Sequence, residues 1–175
     1  MPVTKEPTRT PGTRPPAPST HDGDDRSRSA SARAQLIDGL NADLAREYQS
    51  IIAYVVYSQK LKGASFMTIA RELESHAAEE LAHALKLAKQ IDYLGGDPTV
   101  APAPVATPED NEGMLRQDLE NELETIRNYR ERVRQCEQLG EYAIAEQIRE
   151  ILVDEQDHAI DLASALGIDV PSVNP

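Results

Sequence analysis

The chain has 175 residues and a net charge of −12, with 39% hydrophobic and 4% aromatic residues, which allows one domain with an aliphatic core. Its single cysteine, Cys136, excludes a disulfide framework and a four-cysteine metal site. No apolar run approaches the roughly 18–20 residues of a membrane span, and no apolar segment of a secretory signal follows the first basic residues. We therefore expect a cytoplasmic protein without a membrane partner. The acidic charge disfavours nucleic acid as the main ligand and favours cations.

Residues 1–33 are rich in proline, serine, threonine and arginine and contain no periodic apolar positions. Such a segment buries too little surface to offset its ordering entropy, so we predict a disordered tail. An arm that binds DNA is the alternative. Acidic side chains interrupt the basic ones in this segment, which leaves few uncompensated positive charges for phosphate groups.

Two long windows without proline follow, at residues 30–97 and 109–170. Windows of this length favour helices over strands, and the glycines within and after them are suitable helix ends. We predict an N-cap at Ser65 for the second helix and at Thr107 for the third, with Pro108 in its first helical position. The four predicted helices span residues 31–62, 65–94, 108–139 and 141–166.

The lengths of the links predict the topology. Short turns at Gly63 and Gly140 join the first helix to the second and the third to the fourth, and a long link over about 95–107 joins the two pairs. This series of connections is typical of a four-helix bundle made of two antiparallel hairpins and one crossover. We predict such an all-α bundle over residues 34–168, with a short C-terminal tail at 169–175.

Each predicted helix has an apolar stripe at alternating steps of four and three residues, which is the spacing of a buried seam. A glutamate interrupts every stripe near its middle, and a histidine follows two of these glutamates three residues later. An unpaired charge in a bundle core costs on the order of several kcal/mol, so two divalent cations at this level would make the burial tolerable. Carboxylate with imidazole suits iron, manganese or zinc. The interrupting residues are Glu47, Glu80, His83, Glu122, Glu155 and His158.

The two halves of the chain also repeat each other after a shift of 75 residues. Two helical hairpins related by a pseudo-twofold axis would give each metal one histidine, one terminal glutamate and shared bridging glutamates. The repeat therefore predicts a dinuclear site. The superposed pairs are Glu47 with Glu122, Glu80 with Glu155 and His83 with His158.

The ligand pattern resembles the di-iron carboxylate motif of ferritin-like proteins, and that of bacterioferritins most closely: Glu47, Glu80-Leu-Ala-His83, Glu122, Glu155-Gln-Asp-His158. The resemblance covers about residues 36–166. It implies a ferritin-like bundle with two iron ions per subunit, manganese or zinc being the other metals that fit. It also implies ferroxidase activity and iron storage or detoxification, with Fe(II) oxidised by O₂ or peroxide. The implied roles are terminal carboxylates for Glu47 and Glu122, bridges for Glu80 and Glu155, nitrogen ligands for His83 and His158, and a catalytic tyrosine at Tyr54.

Two departures limit what this resemblance implies. Bacterioferritins bind haem through a methionine directly after the first bridging glutamate, and Leu81 has that position here, so we expect no haem. Only seventeen residues follow His158, so we expect no full fifth helix. The implied homo-oligomer is a hollow shell, for which both twelve and twenty-four subunits remain open.

Two other functions fit parts of the sequence. An enzyme of the rubrerythrin or manganese-catalase kind would consume peroxide with the same ligands. Rubrerythrins, however, usually have a further glutamate where this chain has Thr125, and a rubredoxin domain whose cysteines are absent here. A non-enzymatic interaction module would place its glutamates at the edge of the seam, where they reach water. Such a position could explain a single glutamate, but it explains four glutamates at the same depth poorly.

Two residues near the predicted ligands have open roles. His76 lies in the seam one turn before Glu80, where it could form an accessory iron site or be a hydrogen-bonded core histidine. Glu79 could guide cations inward or belong to a solvated face.

The repeat also contains paired tyrosines and aspartates. Tyr54 and Tyr129 could each donate a hydrogen bond to a bridging glutamate, supply an electron, or simply fill space. Asp43 and Asp118 lie one helical turn from the terminal glutamates and are candidates to support them.

Overall fold

The computed structural model describes residues 21–173, and the all-α prediction is confirmed over this range. A single 3₁₀ turn at Ala64–Phe66 precedes the second helix. Within the described range, no helix is both long and apolar enough to cross a membrane. The four helices are α1 at His21–Lys60, α2 at Met67–Tyr93, α3 at Asn111–Leu139 and α4 at Tyr142–Leu166.

The helices pack as two antiparallel hairpins, α1 with α2 and α3 with α4, and contacts between α1 and α3 and between α2 and α4 close the bundle. The crossover after α2 runs along α1. The side chain of Asn41 donates to the carbonyl of Asp97 (3.1 Å) and accepts from the Thr99 N–H (2.7 Å). Further on, the Ala103 N–H donates to the carbonyl of Ala45 (2.8 Å). Because the crossover spans the bundle, neighbouring helices are antiparallel.

The first helix begins at His21, ten residues before the predicted start at Ser31. Residues 26–31 are exposed, so packing does not hold this part of the extension. Adding residues to an existing helix costs little, because the unfavourable nucleation step has already been taken. The predicted disordered tail is therefore wrong for residues 21–33, and residues 1–20 lie outside the described part of the chain.

Two predicted N-caps are wrong. Ser65 lies inside the 3₁₀ turn, and α2 begins two residues later without a side-chain cap. Thr107 stays in the crossover because the Asp110 carboxylate accepts a hydrogen bond from the Gly113 N–H (2.8 Å) and begins α3 there. The predicted end at Gly140 is confirmed, since its φ of 75° stops α3 in a left-handed conformation.

The aliphatic core is divided into two clusters by a polar layer. Along α1, Leu44 belongs to one cluster and Ala53 to the other, and Glu47 lies between them. The layer is therefore closed above and below by apolar side chains. The largest fully buried members of the two clusters include Leu36, Leu40, Ile91, Tyr57, Leu73 and Leu115.

Candidate metal centre

The structure brings the six predicted ligands together in the middle of the bundle. Each of the four helices contributes a glutamate, and the two helices α2 and α4 add a histidine one turn further on. None of the six residues is more than 2% exposed. They are Glu47 on α1, Glu80 and His83 on α2, Glu122 on α3, and Glu155 and His158 on α4.

These side chains form two overlapping groups of four, and the ligand atoms within each group all lie within 4.8 Å of one another. Glu80 and Glu155 belong to both groups, as expected for carboxylates that bridge two ions. The remaining members are Glu47 and His83 in one group, and Glu122 and His158 in the other.

Each shared carboxylate presents one oxygen to each histidine. Glu80 Oε2 lies 3.1 Å from His83 Nδ1, and Glu80 Oε1 lies 3.2 Å from His158 Nδ1. Glu155 Oε1 lies 3.3 Å from His83 Nδ1, and Glu155 Oε2 lies 3.4 Å from His158 Nδ1. Two ions placed beside the histidines could therefore share both carboxylates.

The two tyrosines contact Glu47 and Glu122, the glutamates that each belong to only one of the two groups. The Tyr129 hydroxyl donates to Glu47 and the Tyr54 hydroxyl donates to Glu122. The predicted bonds to bridging glutamates are therefore wrong. Each tyrosine lies two turns, about 10.5 Å, from the glutamate of its own helix. Because α1 and α3 pack antiparallel, each tyrosine lies opposite the glutamate of the neighbouring helix. Burial and the adjacent glutamate raise the pKa of each phenol, so both remain donors.

Two surface carboxylates reach the outer nitrogens of the histidines. Glu79 Oε2 on α2 lies 2.8 Å from His158 Nε2 on α4, and Asp154 Oδ2 on α4 lies 3.1 Å from His83 Nε2 on α2. Such partners fix the tautomer and orientation of a ligating imidazole. Sequence reasoning missed Asp154 and left Glu79 open. The signal that could have found them is the repeat, since each directly precedes a bridging glutamate.

The paired aspartates have different surroundings. Asp43 Oδ2 accepts a hydrogen bond from Arg132 Nε (2.7 Å). Asp118 is 2% exposed, and its Oδ2 has no hydrogen-bond partner in the described part of the chain. Burial, together with the charge of Glu80, raises the pKa of Asp118 well above its ordinary value. Neither aspartate bonds a ligand glutamate among the described residues, so the expected support of Glu47 and Glu122 is not seen.

The buried carboxylates of this layer favour the binding of protons. Burial raises the pKa of Glu47 and Glu122 well above the ordinary range, and neighbouring carboxylates raise it further. Burial opposes protonation of His158, but the carboxylates of Glu155 and Glu80 close to its Nδ1 raise the pKa of that imidazole to about 12. Cations would replace these protons, because metal ligands must be deprotonated.

The donor set fits two first-row divalent cations. Several inward-facing oxygens are buried without a hydrogen-bond partner: Glu47 Oε2, Glu80 Oε1 and both oxygens of Glu155. Buried carboxylates without partners are costly unless a cation compensates them. Four carboxylates and two imidazoles suit iron, manganese or zinc. A layer of this kind on two helical hairpins is typical of the dinuclear carboxylate proteins built as four-helix bundles.

The comparison with known families agrees with a dinuclear carboxylate protein built as a four-helix bundle. The Ferritin-like domain family matches residues 37–168. The chain belongs to this family, and the resemblance inferred from the sequence is confirmed.

Individual relatives are moderately similar. Bacterioferritin from Brucella melitensis is 26% identical over 135 residues, which cover 77% of this chain and 84% of the relative. A ferritin-like diiron-carboxylate protein from Bacillus anthracis has a solved structure with a TM-score of 0.75 and 35% identity, covering 77% of this chain and 97% of that one. A dodecameric thioferritin from Bacteroides fragilis, related to bacterioferritin, has a TM-score of 0.71 and 28% identity, covering 77% and 86%.

Proposed function

We propose that this protein is a ferroxidase that stores or detoxifies iron and oxidises Fe(II) at a dinuclear site within each subunit. The observation that carries the proposal is the bridging geometry of Glu80 and Glu155, whose oxygens lie 3.1–3.4 Å from Nδ1 of both histidines. The similarity to a bacterioferritin and to a diiron-carboxylate protein supports iron as the metal.

The ligand roles follow from the two groups of four. Glu47 and Glu122 each serve one ion, and the tyrosine that donates to each of them fixes its orientation. Tyr54 then acts on the reaction through Glu122, and the catalytic role expected for it remains a prediction. Four carboxylates neutralise the charge of two Fe(II) ions, and hard anionic oxygen ligands favour Fe(III), which drives oxidation.

The proposed reaction balances without a further reductant. Each of two Fe(II) ions loses one electron, and O₂ takes up the two electrons and two protons to give hydrogen peroxide. With peroxide as the oxidant, the same two electrons and two protons give two water molecules. The Fe(III) products leave the site as mineral or remain bound there.

We also propose a cytoplasmic, homo-oligomeric shell without haem. The dodecamer of the Bacteroides fragilis relative supports twelve subunits, and twenty-four is the alternative. Measuring the native mass together with the iron content per chain would decide between these subunit numbers. A dimer would contradict a function in iron storage.

The direct test is stopped-flow oxidation after addition of two Fe(II) per chain. Glu80→Ala should abolish the fast phase, because it removes a carboxylate from both ions. Glu150→Ala, which changes an exposed glutamate on α4, is the matched control and should oxidise iron at the wild-type rate. An unchanged fast phase in Glu80→Ala would refute the site. Rapid peroxide consumption without net Fe(II) oxidation would instead favour a rubrerythrin-like or catalase-like enzyme.

A further inference from the structure

A second cluster of potential ligands lies between α2 and α4, outside the six central residues. It consists of Glu72, His76 and Asp161, whose ligand atoms all lie within 4.8 Å of one another. Glu72 and His76 are one helical turn apart on α2, and Asp161 faces them from α4. One imidazole and two carboxylates are a donor set that suits first-row divalent cations.

The histidine of this cluster is buried and only partly satisfied. His76 is 4% exposed, its Nε2 faces Asp161 Oδ2 at 3.4 Å, and its Nδ1 has no hydrogen-bond partner among the described residues. Its ring stacks on that of His158, with centroids 4.0 Å apart. A buried imidazole without full hydrogen bonding is costly, so its place in the seam needs another explanation than packing.

The internal repeat supplies a comparison within the same chain. The shift of 75 residues relates His76 to Ile151, which fills the equivalent place in the seam with an apolar side chain. The other two members correspond to Gln147 and Lys86, which cannot form a cation site. Packing of the bundle therefore does not require a histidine at this position, and the cluster exists in only one half.

A cavity of about 140 Å³ borders both the cluster and His158 of the dinuclear centre. Glu72, His76 and Asp161 line one part of it, and His158 and Asp154 line another. His158 lines the cavity itself, and Asp154, which also lines it, contacts His83. The five carboxylates of the cavity would attract cations into this space.

We propose that Glu72, His76 and Asp161 form a third cation site, which binds Fe(II) and exchanges it with the dinuclear centre. The existence of this site is independent of the proposed ferroxidase function, whereas its role in exchange rests on that function. Only three protein ligands are available, so water molecules would complete the coordination of a bound ion.

Binding is tested by anaerobic dialysis of the full-length protein against Fe(II) and by anomalous diffraction from Fe(II)-soaked crystals. Wild type should bind three ions per chain, and Glu72→Gln with Asp161→Asn should bind two. The matched control is Glu74→Gln with Glu150→Gln, which makes the same charge change on exposed parts of α2 and α4 and should keep three. His76→Ile copies the residue at Ile151, so it should fold, as thermal unfolding would show, and also bind two.

The outcomes separate this proposal from the proposed function. A double variant that binds as many ions as wild type, or crystals without an ion at the cluster, would overturn the third site. Glu80→Ala should lose the two central ions and keep the third. A wild type with a single ion at the cluster and none at Glu80 would leave the third site standing and refute the dinuclear centre.

Exchange is tested by the kinetics of successive iron additions. When the double variant is first loaded anaerobically with two Fe(II) per chain and then mixed with O₂, it should oxidise them at the wild-type rate, because the central ligands are intact and already filled. Its second addition should be several-fold slower, since refilling would no longer pass through the cluster. Equal rates for the second addition in the variant and in wild type would refute the exchange role.

Discussion

Removing one outer carboxylate should weaken the binding of one of the two central ions and leave the binding of the other nearly unchanged. Asp154 lies 3.1 Å from His83 Nε2, and Glu79 lies 2.8 Å from His158 Nε2. The two histidines belong to different groups of ligands. Asp154→Ala should therefore act on the ion bound by His83, and Glu79→Ala should act on the ion bound by His158.

The expected size of the effect follows from the exposure of these carboxylates. Loss of such a partner typically lowers metal affinity by about 10- to 100-fold. The side chains of Asp154 and Glu79 are 45% and 51% exposed, so water screens the interaction and can replace part of it. We therefore expect the lower end of this range, about tenfold, which corresponds to about 1.4 kcal/mol.

Calorimetric titration with Zn(II) would resolve the two binding constants, and anomalous diffraction at limiting metal would show which position is depleted. Asp157→Ala is the matched control, because Asp157 lines the same cavity and forms no hydrogen bond with a histidine among the described residues. Equal weakening of both ions by either variant, or an effect of the same size in Asp157→Ala, would contradict the crosswise support inferred here.

Three further predictions follow from buried groups of the layer. The raised pKa values of Glu47 and Glu122 favour protonated carboxylates, so the affinity for Fe(II) should rise with pH and binding should release protons. An indicator dye in weak buffer would measure the released protons, and a pH-independent affinity would contradict the prediction. Asp118→Asn should stabilise the metal-free protein by about 1–3 kcal/mol in thermal unfolding at neutral pH, since the amide has no negative charge to desolvate or to repel Glu80. The raised pKa of Asp118 means that its ionised form disfavours folding, so this gain should grow as the pH rises above about 4; Asp43→Asn should gain less, because an arginine already pairs with Asp43. Tyr54→Phe should weaken the binding of one central ion and slow iron oxidation several-fold. An unchanged metal affinity together with an unchanged oxidation rate would exclude a role of Tyr54 through Glu122.

The helices could be predicted from the sequence better than the places where they begin. Glycine at positions 140 and 167 adopts a left-handed φ and ends α3 and α4, a local effect that the sequence carries by itself. The start of α3 depended on a choice between Thr107 and Asp110, both suitable caps, and on how far the crossover runs along α1. The early start of α1 was hidden because exposed polar residues have no periodic apolar signal.

The candidate ligands were predictable because burial and charge conflict at their positions. Glu47, Glu80, Glu122 and Glu155 interrupt apolar seams, and a buried carboxylate at such a position needs compensation. Asp154 lies on a partly exposed face, where acidic residues are common without a specific role. Only the distance to His83 Nε2 distinguishes it from its exposed neighbours, and that distance depends on how α2 packs against α4.

The pseudo-twofold repeat is kept at the six candidate ligands and broken in the residues around them. The shared geometry at Glu80 and Glu155 makes the two central positions alike in their ligands. Their surroundings differ, because His76 stacks on His158 and the corresponding residue in the other half is Ile151. Duplicated halves have no physical reason to diverge at a buried seam position unless the two sides perform different tasks or one change is neutral. A partly unsatisfied imidazole at 4% exposure is not a neutral replacement for isoleucine, since it carries a desolvation cost that isoleucine does not. The asymmetry therefore favours a route for cations that reaches the centre from one side.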